Sequence, residues 1–243
     1  MCVHLKKLGE SRGYREGHGE FLCDGVKLLE EAVMSGAAVT DVLTASHLPF
    51  PLPLETRVFY AERALIDTVS PLKNAQDVLF ACKMPEEQAA AGSEGTLVLL
   101  DGVQDPGNVG AMIRTANAFG IGRVLLTGAC ADVYNPKTVR ASMGAVFRQR
   151  VTVMAYGELE ALRAGGARFI GAVPGLGRRL VSDANLHGAV IAIGGEGGGL
   201  SGSVLALCDE TVTIPLAPGC ESLNAAVAAA ILMWEASKTK NEK

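Results

Sequence analysis

Residues 96–120 read TLVLLDGVQDPGNVGAMIRTANAFG. Leu97–Leu100 is an unbroken apolar run, the pattern of a strand buried on both faces of a parallel sheet. Asp101–Asn108 follows with two acids, two glycines and a proline, which marks a loop. From Val109 the period changes. Val109, Met112, Ile113, Ala116 and Phe119 recur at helical spacing, so the pattern predicts a helix that Gly120 ends. A strand, polar loop and helix in this order put Asn108 and Arg114 beside the carboxyl edge of a sheet, where open α/β folds hold ligands.

Working outward from this unit, further strands are predicted at Arg123–Thr127, Arg168–Val173, Val190–Ile193 and Thr211–Pro215, with the first at Thr96–Leu100. Val146–Met154 is a further candidate with imperfect alternation. Helices are predicted at Val109–Phe119, Thr138–Ala145, Leu159–Arg163 and Ser222–Ser237. Repeated strand–helix units of this kind make a parallel α/β domain, placed at residues 96–243. Upstream, PEEQAAAGSEG at Pro85–Gly95 has no apolar periodicity and is taken as a linker, centred on 89–95.

Residues 1–88 form a smaller α/β domain. Asp24 is placed as the N-cap of an amphipathic helix carrying Val26, Leu28, Leu29, Ala32 and Val33 and closing near Gly36. Short β-like runs follow at Asp41–Thr44, Arg57–Tyr60 and Val78–Cys82, with a helix at Ala64–Val69 and a loop through Pro49, Pro51 and Pro53. Residues 1–23 interleave Lys6, Lys7, Arg12 and Arg15 with Glu10, Glu16 and Glu20. They are expected to be a solvated helix or arm, or an arm that touches RNA.

Composition narrows the function classes. With 49% hydrophobic residues, 29 glycines and 5% aromatics, the 243-residue chain suits an α/β protein with a substantial core. A net charge of −4 argues against a wholesale nucleic-acid coat, but it leaves room for a local basic patch. The six cysteines (Cys2, Cys23, Cys82, Cys130, Cys208, Cys220) include no C-x-x-C pair. Zinc and thioredoxin-type motifs are therefore absent, and reduced thiols in a cytosolic protein are expected. The polar N-terminus is not expected to be a signal peptide, and no apolar run reaches membrane-spanning length; the expected location is the cytoplasm.

Three clusters begin where predicted strands end: DPGNVGAMIR at Asp105–Arg114, IAIGGEGGGLSG at Ile191–Gly202, and IPLAPGCESLNAA at Ile214–Ala226. Three such loops at one sheet edge make a plausible pocket. Gly197, Gly199 and Gly202 spell a formal G-x-G-x-x-G, which invites a dinucleotide site. That fingerprint belongs at the first strand of its unit, with more βαβ units to follow, and here only one strand and one helix remain. The glycines keep a more general use, a backbone that comes close to a ligand.

The motifs DP-x-NVG with R-T-A inside Asp101–Gly120, GGEGGGLS at Gly194–Ser201, and IPL…ESLNAAVA at Ile214–Ala228 resemble, in order, the three motifs of the SpoU (TrmH-like) family. These are S-adenosylmethionine-dependent RNA 2′-O-ribose methyltransferases of the SPOUT class. FLCDGVKLLEEA at Phe21–Ala32 and SPLKNAQDVLFACKMP at Ser70–Pro85 are similar to the family's substrate-binding domain, a ribosomal-protein-like (L30e-like) α/β module. The resemblance implies a parallel-sheet SPOUT domain closed by a C-terminal trefoil knot, a rare exception to the rules of chain connection. It also implies a homodimer through the C-terminal domain. Leu223, Val227, Ile231 and Trp234 make a stripe that suits such an interface, and an ordinary core helix uses the same stripe.

The resemblance further assigns a site. S-adenosylmethionine is expected against Leu126, Thr127 and Gly128, against Gly194, Gly195 and Gly198, and against Ile214, Pro215, Leu216 and Leu223. Arg114 matches the family's proposed catalytic arginine. A guanidinium hardly deprotonates, so a clamp on phosphate that also stabilises a developing alkoxide suits it better, with the base left open. A surface ion pair is the ordinary alternative. Asn108 either caps the helix, shapes the site, or does both. Glu196 and Asn224 match the polar members of the second and third motifs, and Glu196 is otherwise a loop acid. Ser222 is a candidate N-cap of the last helix or a contact to substrate or cofactor. Arg140 and Ser142, in VRASMGA, match an RNA-binding pattern; with Lys137, Arg148 and Arg150 they make a local basic surface or a solvated face. No metal is expected. The implied activity is 2′-O-methylation of structured RNA, large-subunit (23S) rRNA ahead of tRNA. The competing expectation is a catalytically weak RNA-binding or ribosome-assembly protein of the same fold, and Asn108, Arg114, Glu196 and Asn224 favour the enzyme.

Overall fold

The computed structural model describes residues 1–85, 95–175 and 178–238. The linker expected over 89–95 falls, up to residue 94, outside the described residues. The chain forms two compact units, Met1–Gln88 with Asp132–Arg148, and Ala89–Ala131 with Gln149–Lys243. Among the described residues no helix is long and apolar enough to cross a membrane.

In the smaller unit, α1 (Cys2–Glu10), α2 (Arg12–His18), β1 (Glu20–Asp24), α3 (Val26–Met34), β2 (Val39–Thr44), β3 (Arg57–Tyr60), α4 (Arg63–Val69) and β4 (Val78–Lys83) follow in order. The sheet runs β1-β4-β2-β3, with β4 antiparallel to both neighbours and β3 parallel to β2. Its core gathers Leu5, Leu8, Leu22, Leu43, Ile66 and Leu79.

Two expectations are corrected in this unit. The N-terminal segment is not a solvated arm: Leu5 and Leu8 are fully buried and Phe21–Cys23 belong to β1. The mixed charges occupy the outer surface of α1 and α2 and hid a short apolar stripe. Arg15 is itself buried, donating to the Leu8 carbonyl at 2.7 Å and pairing with Asp132 at 2.5 Å. Asp24 does not cap α3. The N-cap is Gly25 at φ 117°, while Asp24 ends β1 and accepts from the Gln76 amide at 2.9 Å. Burial pushes the Asp24 carboxyl above its usual range, against that hydrogen bond and the charge of Arg140.

The larger unit opens with β5 (Leu97–Asp101), α5 (Pro106–Ala118) and β6 (Arg123–Thr127). The chain then contributes α6 (Pro136–Ser142) to the smaller unit, where it packs on β1. Met143 and Gly144 stop this helix short of the expected Ala145, because both adopt left-handed backbone, at φ 49° and φ 87°. The larger unit resumes with β7 (Val151–Val153), α7 (Tyr156–Ala164), β8 (Phe169–Ala172), β9 (Arg179–Leu180), β10 (Val190–Gly194), α8 (Gly202–Leu207), β11 (Glu210–Thr213) and α9 (Ala225–Ser237). β9 and α8 had no sequence expectation, and α9 starts at Ala225 rather than Ser222.

All seven strands of this sheet are parallel, in the order β7-β6-β5-β10-β8-β11-β9. The core packs Leu99, Leu125, Phe169, Val190 and Ala192. From β5 the chain builds outward through β6 and β7, then crosses to lay down β8 to β11 on the other side. The strand order therefore reverses between β5 and β10, whose ends Asp101 and Gly194 are paired. The polar loops after both strands leave this reversal point at the carboxyl edge, where a parallel sheet opens a crevice.

Candidate functional site

At the start of α5, Asp105 is the N-cap: its carboxylate accepts from the Asn108 amide at 2.8 Å, and Pro106 occupies the first helical turn. Asn108 is thus within the first turn of the helix and does not cap it, so its side chain is available to the site. The last helix is capped by Asn224, whose Oδ1 accepts from the amides of Ala226 at 2.9 Å and Val227 at 3.3 Å. Ser222 lies upstream of this cap and does not serve as one.

Capping fixes the orientation of the Asn224 amide. With Oδ1 accepting from backbone, Nδ2 must be the outward donor. It donates to Asn108 Oδ1 at 3.2 Å and to Glu196 Oε1 at 3.3 Å. Asn108, accepting at Oδ1, donates through Nδ2 to the same Glu196 oxygen. One polar residue from each of the three strand-end clusters thus meets in a closed triangle.

The glycine cluster is shaped by close backbone approach. A Cβ on Gly194 would lie 2.0 Å from the Gly199 carbonyl carbon, and one on Gly195 would lie 2.4 Å from the Gly102 oxygen. Gly195 and Gly199 form a bridge, with the Gly199 amide donating to Gly195 at 3.0 Å. Two cavities flank this loop. One, of about 400 Å³, is lined mainly by apolar groups including Val173, Ile193, Leu216, Leu223 and Leu232. That volume suits a small organic ligand, for which sites run roughly 300–1,000 Å³. The other, of about 510 Å³, is lined by Asp101, Gly102, Gln104, the Gly195–Gly199 backbone and Ser201. Glu196 borders both.

Of the residues expected at a cofactor, Gly194, Gly195, Ile214, Leu216 and Leu223 line the apolar cavity, and Ser222 and Asn224 join them. Gly198 lines the polar cavity. Pro215 is in neither lining. Leu126, Thr127 and Gly128 are in neither lining: they lie at the end of β6, which β5 separates from β10, with Gly128 against Asp101 and Gly102. Arg114 is exposed on α5 and makes no ion pair among the described residues. Arg140 is half-buried near Asp24, and Arg148 pairs with Glu31. Ser142 is fully buried, its hydroxyl donating to the Val139 carbonyl at 2.7 Å, so it presents nothing to solvent. Sequence reasoning missed Ala172, Val173 and Pro174, which line the apolar cavity at the end of β8 and just after it. The signal available was a fourth strand ending in a proline–glycine step, Pro174-Gly175. No cluster of three or more metal-ligating side chains occurs among the described residues.

Comparison with known proteins identifies the family. Residues 95–234 match the SpoU rRNA Methylase family. The chain is 34% identical to the 23S rRNA (guanosine(2553)-2'-O)-methyltransferase RlmP of Bacillus subtilis, over 88% of this chain and 87% of that one. It is 32% identical to the 23S rRNA (uridine(2479)-2'-O)-methyltransferase of Streptomyces viridochromogenes, over 95% and 86%. The crystal structure of the SpoU methyltransferase AviRb from Streptomyces viridochromogenes, in complex with the cofactor AdoMet, superposes with a TM-score of 0.85 at 30% identity, covering 97% of this chain and 96% of that one. With two motif loops lining one cavity, the third tied to them through Asn108, and likeness running along nearly the whole chain, this protein belongs to the SpoU rRNA methylase family, and its cofactor is S-adenosylmethionine.

Proposed function

We propose that the protein methylates a ribose 2′-hydroxyl of large-subunit (23S) rRNA. The triangle of Asn108, Glu196 and Asn224 beside a cavity of suitable size is the observation that carries this. The named 23S rRNA methyltransferases among its relatives favour rRNA over tRNA as substrate.

S-Adenosylmethionine supplies an electrophilic methyl group, so the protein must orient the acceptor hydroxyl and take its proton. Ile193, Leu216, Leu223 and Leu232 provide apolar walls that exclude water, while the backbone from Gly194 to Glu196 and at Ile214 offers polar contacts. Both amides of the triangle point at Glu196 Oε1, which leaves Oε2 as the carboxylate oxygen for the ribose proton. Arg114, exposed and without an ion pair among the described residues, is a clamp on phosphate that steadies the oxyanion as it forms.

Four further assignments belong to this proposal. The smaller unit is the RNA-binding module, of the L30e-like type, and the stretch carrying Lys137 and Arg140 belongs to it. The larger unit carries the family's trefoil knot; β10 inserted between the earlier β5 and β8 supports this. A homodimer forms through α9, where Val227 and Trp234 are 49% and 51% exposed, the latter beside Phe119. The protein works in the cytoplasm.

The test is methyl transfer from labelled S-adenosylmethionine to 23S rRNA and to tRNA. Label in rRNA at one position that resists alkaline cleavage is the expected result. Incorporation only into tRNA replaces the substrate. Intact cofactor binding with no incorporation into either RNA replaces the enzyme by an RNA-binding protein.

A further inference from the structure

Asp101, at the end of β5, lines the polar cavity but has no role among those assigned above, although it is a carboxylate buried to 6% exposure at the reversal point of the sheet. Its two ends hold two different places on the glycine loop. The main-chain carbonyl accepts from the Gly195 amide at 3.0 Å, one residue past β10. The side chain reaches the far end, where Oδ2 accepts from the Ser201 amide at 2.6 Å. Ser201 in turn is the N-cap of α8, its hydroxyl accepting from the Val204 amide at 3.3 Å. One residue therefore fixes where the loop enters and where it leaves.

The segment held between these points is Gly195–Leu200. It carries Glu196 to the triangle and supplies wall to both cavities. Between its ends it has one backbone hydrogen bond, from Gly199 to Gly195, and the buried Leu200 side chain, while four of its six residues are glycine. Glycine leaves a chain with the widest conformational freedom, so a loop of this composition holds one shape only if its ends are fixed. The Asp101 carboxylate is a charge-assisted acceptor in a buried place, the strong kind of hydrogen bond.

We infer that Asp101 is a positioning residue for methyl transfer: through the Ser201 amide it holds the Gly195–Leu200 loop in the shape that forms the cofactor wall and presents Glu196. It touches neither the triangle nor the apolar cavity, and takes no proton. The kinetic arm of the test rests on the methyl-transfer function proposed above; the binding and exchange arms do not.

The full-length protein is used throughout. Asp101→Ala removes the acceptor, Asp101→Asn keeps one oxygen able to accept from Ser201, and Ser201→Pro removes the donor, with Ser201→Ala as the control that loses only the helix cap. In cofactor-free wild type, the Gly195 and Ser201 amides exchange slowly with deuterium. Asp101→Ala speeds exchange across 195–201, and Ser201→Pro, which has no amide at 201, across 195–200, while both leave β5 protected. Calorimetry with S-adenosylmethionine shows a loss of affinity of roughly tenfold or more in both, the scale of one charge-assisted hydrogen bond. Asp101→Asn and Ser201→Ala restore most of that affinity, and Asp101→Asn turns over at near the wild-type rate when cofactor is saturating. Asp101→Asn that binds cofactor normally but has lost turnover would make Asp101 the proton acceptor and overturn the inference. Unchanged exchange and affinity in Ser201→Pro would also overturn it. If no variant, and not the wild type, methylates RNA, the proposed activity fails while exchange and affinity still decide the role of Asp101.

Discussion

Asn224 donates from Nδ2 to Asn108 Oδ1 at 3.2 Å, joining residues 116 apart in sequence. The bond closes the site, because it ties the first turn of α5 to the N-cap of α9, and both residues share Glu196 Oε1. Removing one member leaves the others short of a partner at a charged group. Asn108→Ala is expected to slow methyl transfer at saturating cofactor by roughly 10- to 100-fold, the worth of a hydrogen bond to a charged group. Single-turnover assays check this, and turnover within twofold of wild type would remove Asn108 from the catalytic machinery.

Asn224 has two functions that substitution can separate. Its Oδ1 caps α9 and its Nδ2 serves the triangle. Asn224→Asp keeps the cap but trades the donor for a negative charge facing Glu196. Stability is expected to hold within a few tenths of a kcal/mol while activity collapses. Asn224→Ala is expected to lose both, with about 1 kcal/mol of stability. Thermal melts beside initial rates tell the two apart; equal stability losses would show that capping is not what Oδ1 contributes.

Gly194 is required by space rather than by backbone angle. A methyl group there meets the Gly199 carbonyl carbon at 2.0 Å, and the three nearest atoms are all backbone of the Gly199–Leu200 peptide, with no flexible side chain to yield. Gly194→Ala is expected to abolish S-adenosylmethionine binding and to destabilise the larger unit by about 1–3 kcal/mol, as overpacking does. Gly197→Ala is the control, since a Cβ there meets nothing within 4 Å. Cofactor titration of both proteins decides; equal affinities would mean the loop yields more readily than its geometry implies.

Much of this site was legible in the sequence because strand-end loops announce themselves by composition. The run Leu97–Leu100 and the helix from Val109 located β5 and α5, and three motif clusters located the loops that meet. What sequence could not supply was tertiary. Capping was one of the readings that local pattern left open for Asn108 and Ser222, yet Asp105 and Asn224 do it, since both fit the pattern and only the helix start decides. Leu126–Gly128 is a strand-end loop like the others, but the strand order sets it apart from the apolar cavity. Leu5 and Leu8 were hidden by the charges around them.

Arg15 gives a measure of that hidden N-terminal core. Its guanidinium is buried and divided between the Leu8 carbonyl and Asp132. Removing one partner of a buried pair strands the other, at a typical cost of about 3–5 kcal/mol. Arg15→Ala is expected to destabilise the smaller unit by that order, and Asp132→Ala by a comparable amount, with the double variant well short of the sum. Urea denaturation of the full chain measures all three; strict additivity would mean the two residues do not act as a pair.

Asp209 links stability to pH. Its carboxylate accepts from Arg163 at 2.6 Å and from the Phe169 amide at 2.9 Å, joining α7, β8 and the approach to β11. The hydrogen bond from Arg163, then that from Phe169, lowers its pKa to about 2. The ordinary value is about 3.9. A depressed acid stabilises the fold above its unfolded pKa, and that contribution fades as pH falls through the folded value. Because the pair is exposed, solvent screens it and the effect is small. Asp209→Asn is therefore expected to melt slightly lower than wild type, with a gap that is steady at neutral pH and closes as pH falls from about 4 toward about 2. Salt narrows the same gap at neutral pH. A gap that persists undiminished at the acid end would show that the Asp209 charge contributes nothing and that its hydrogen-bonding shape alone matters.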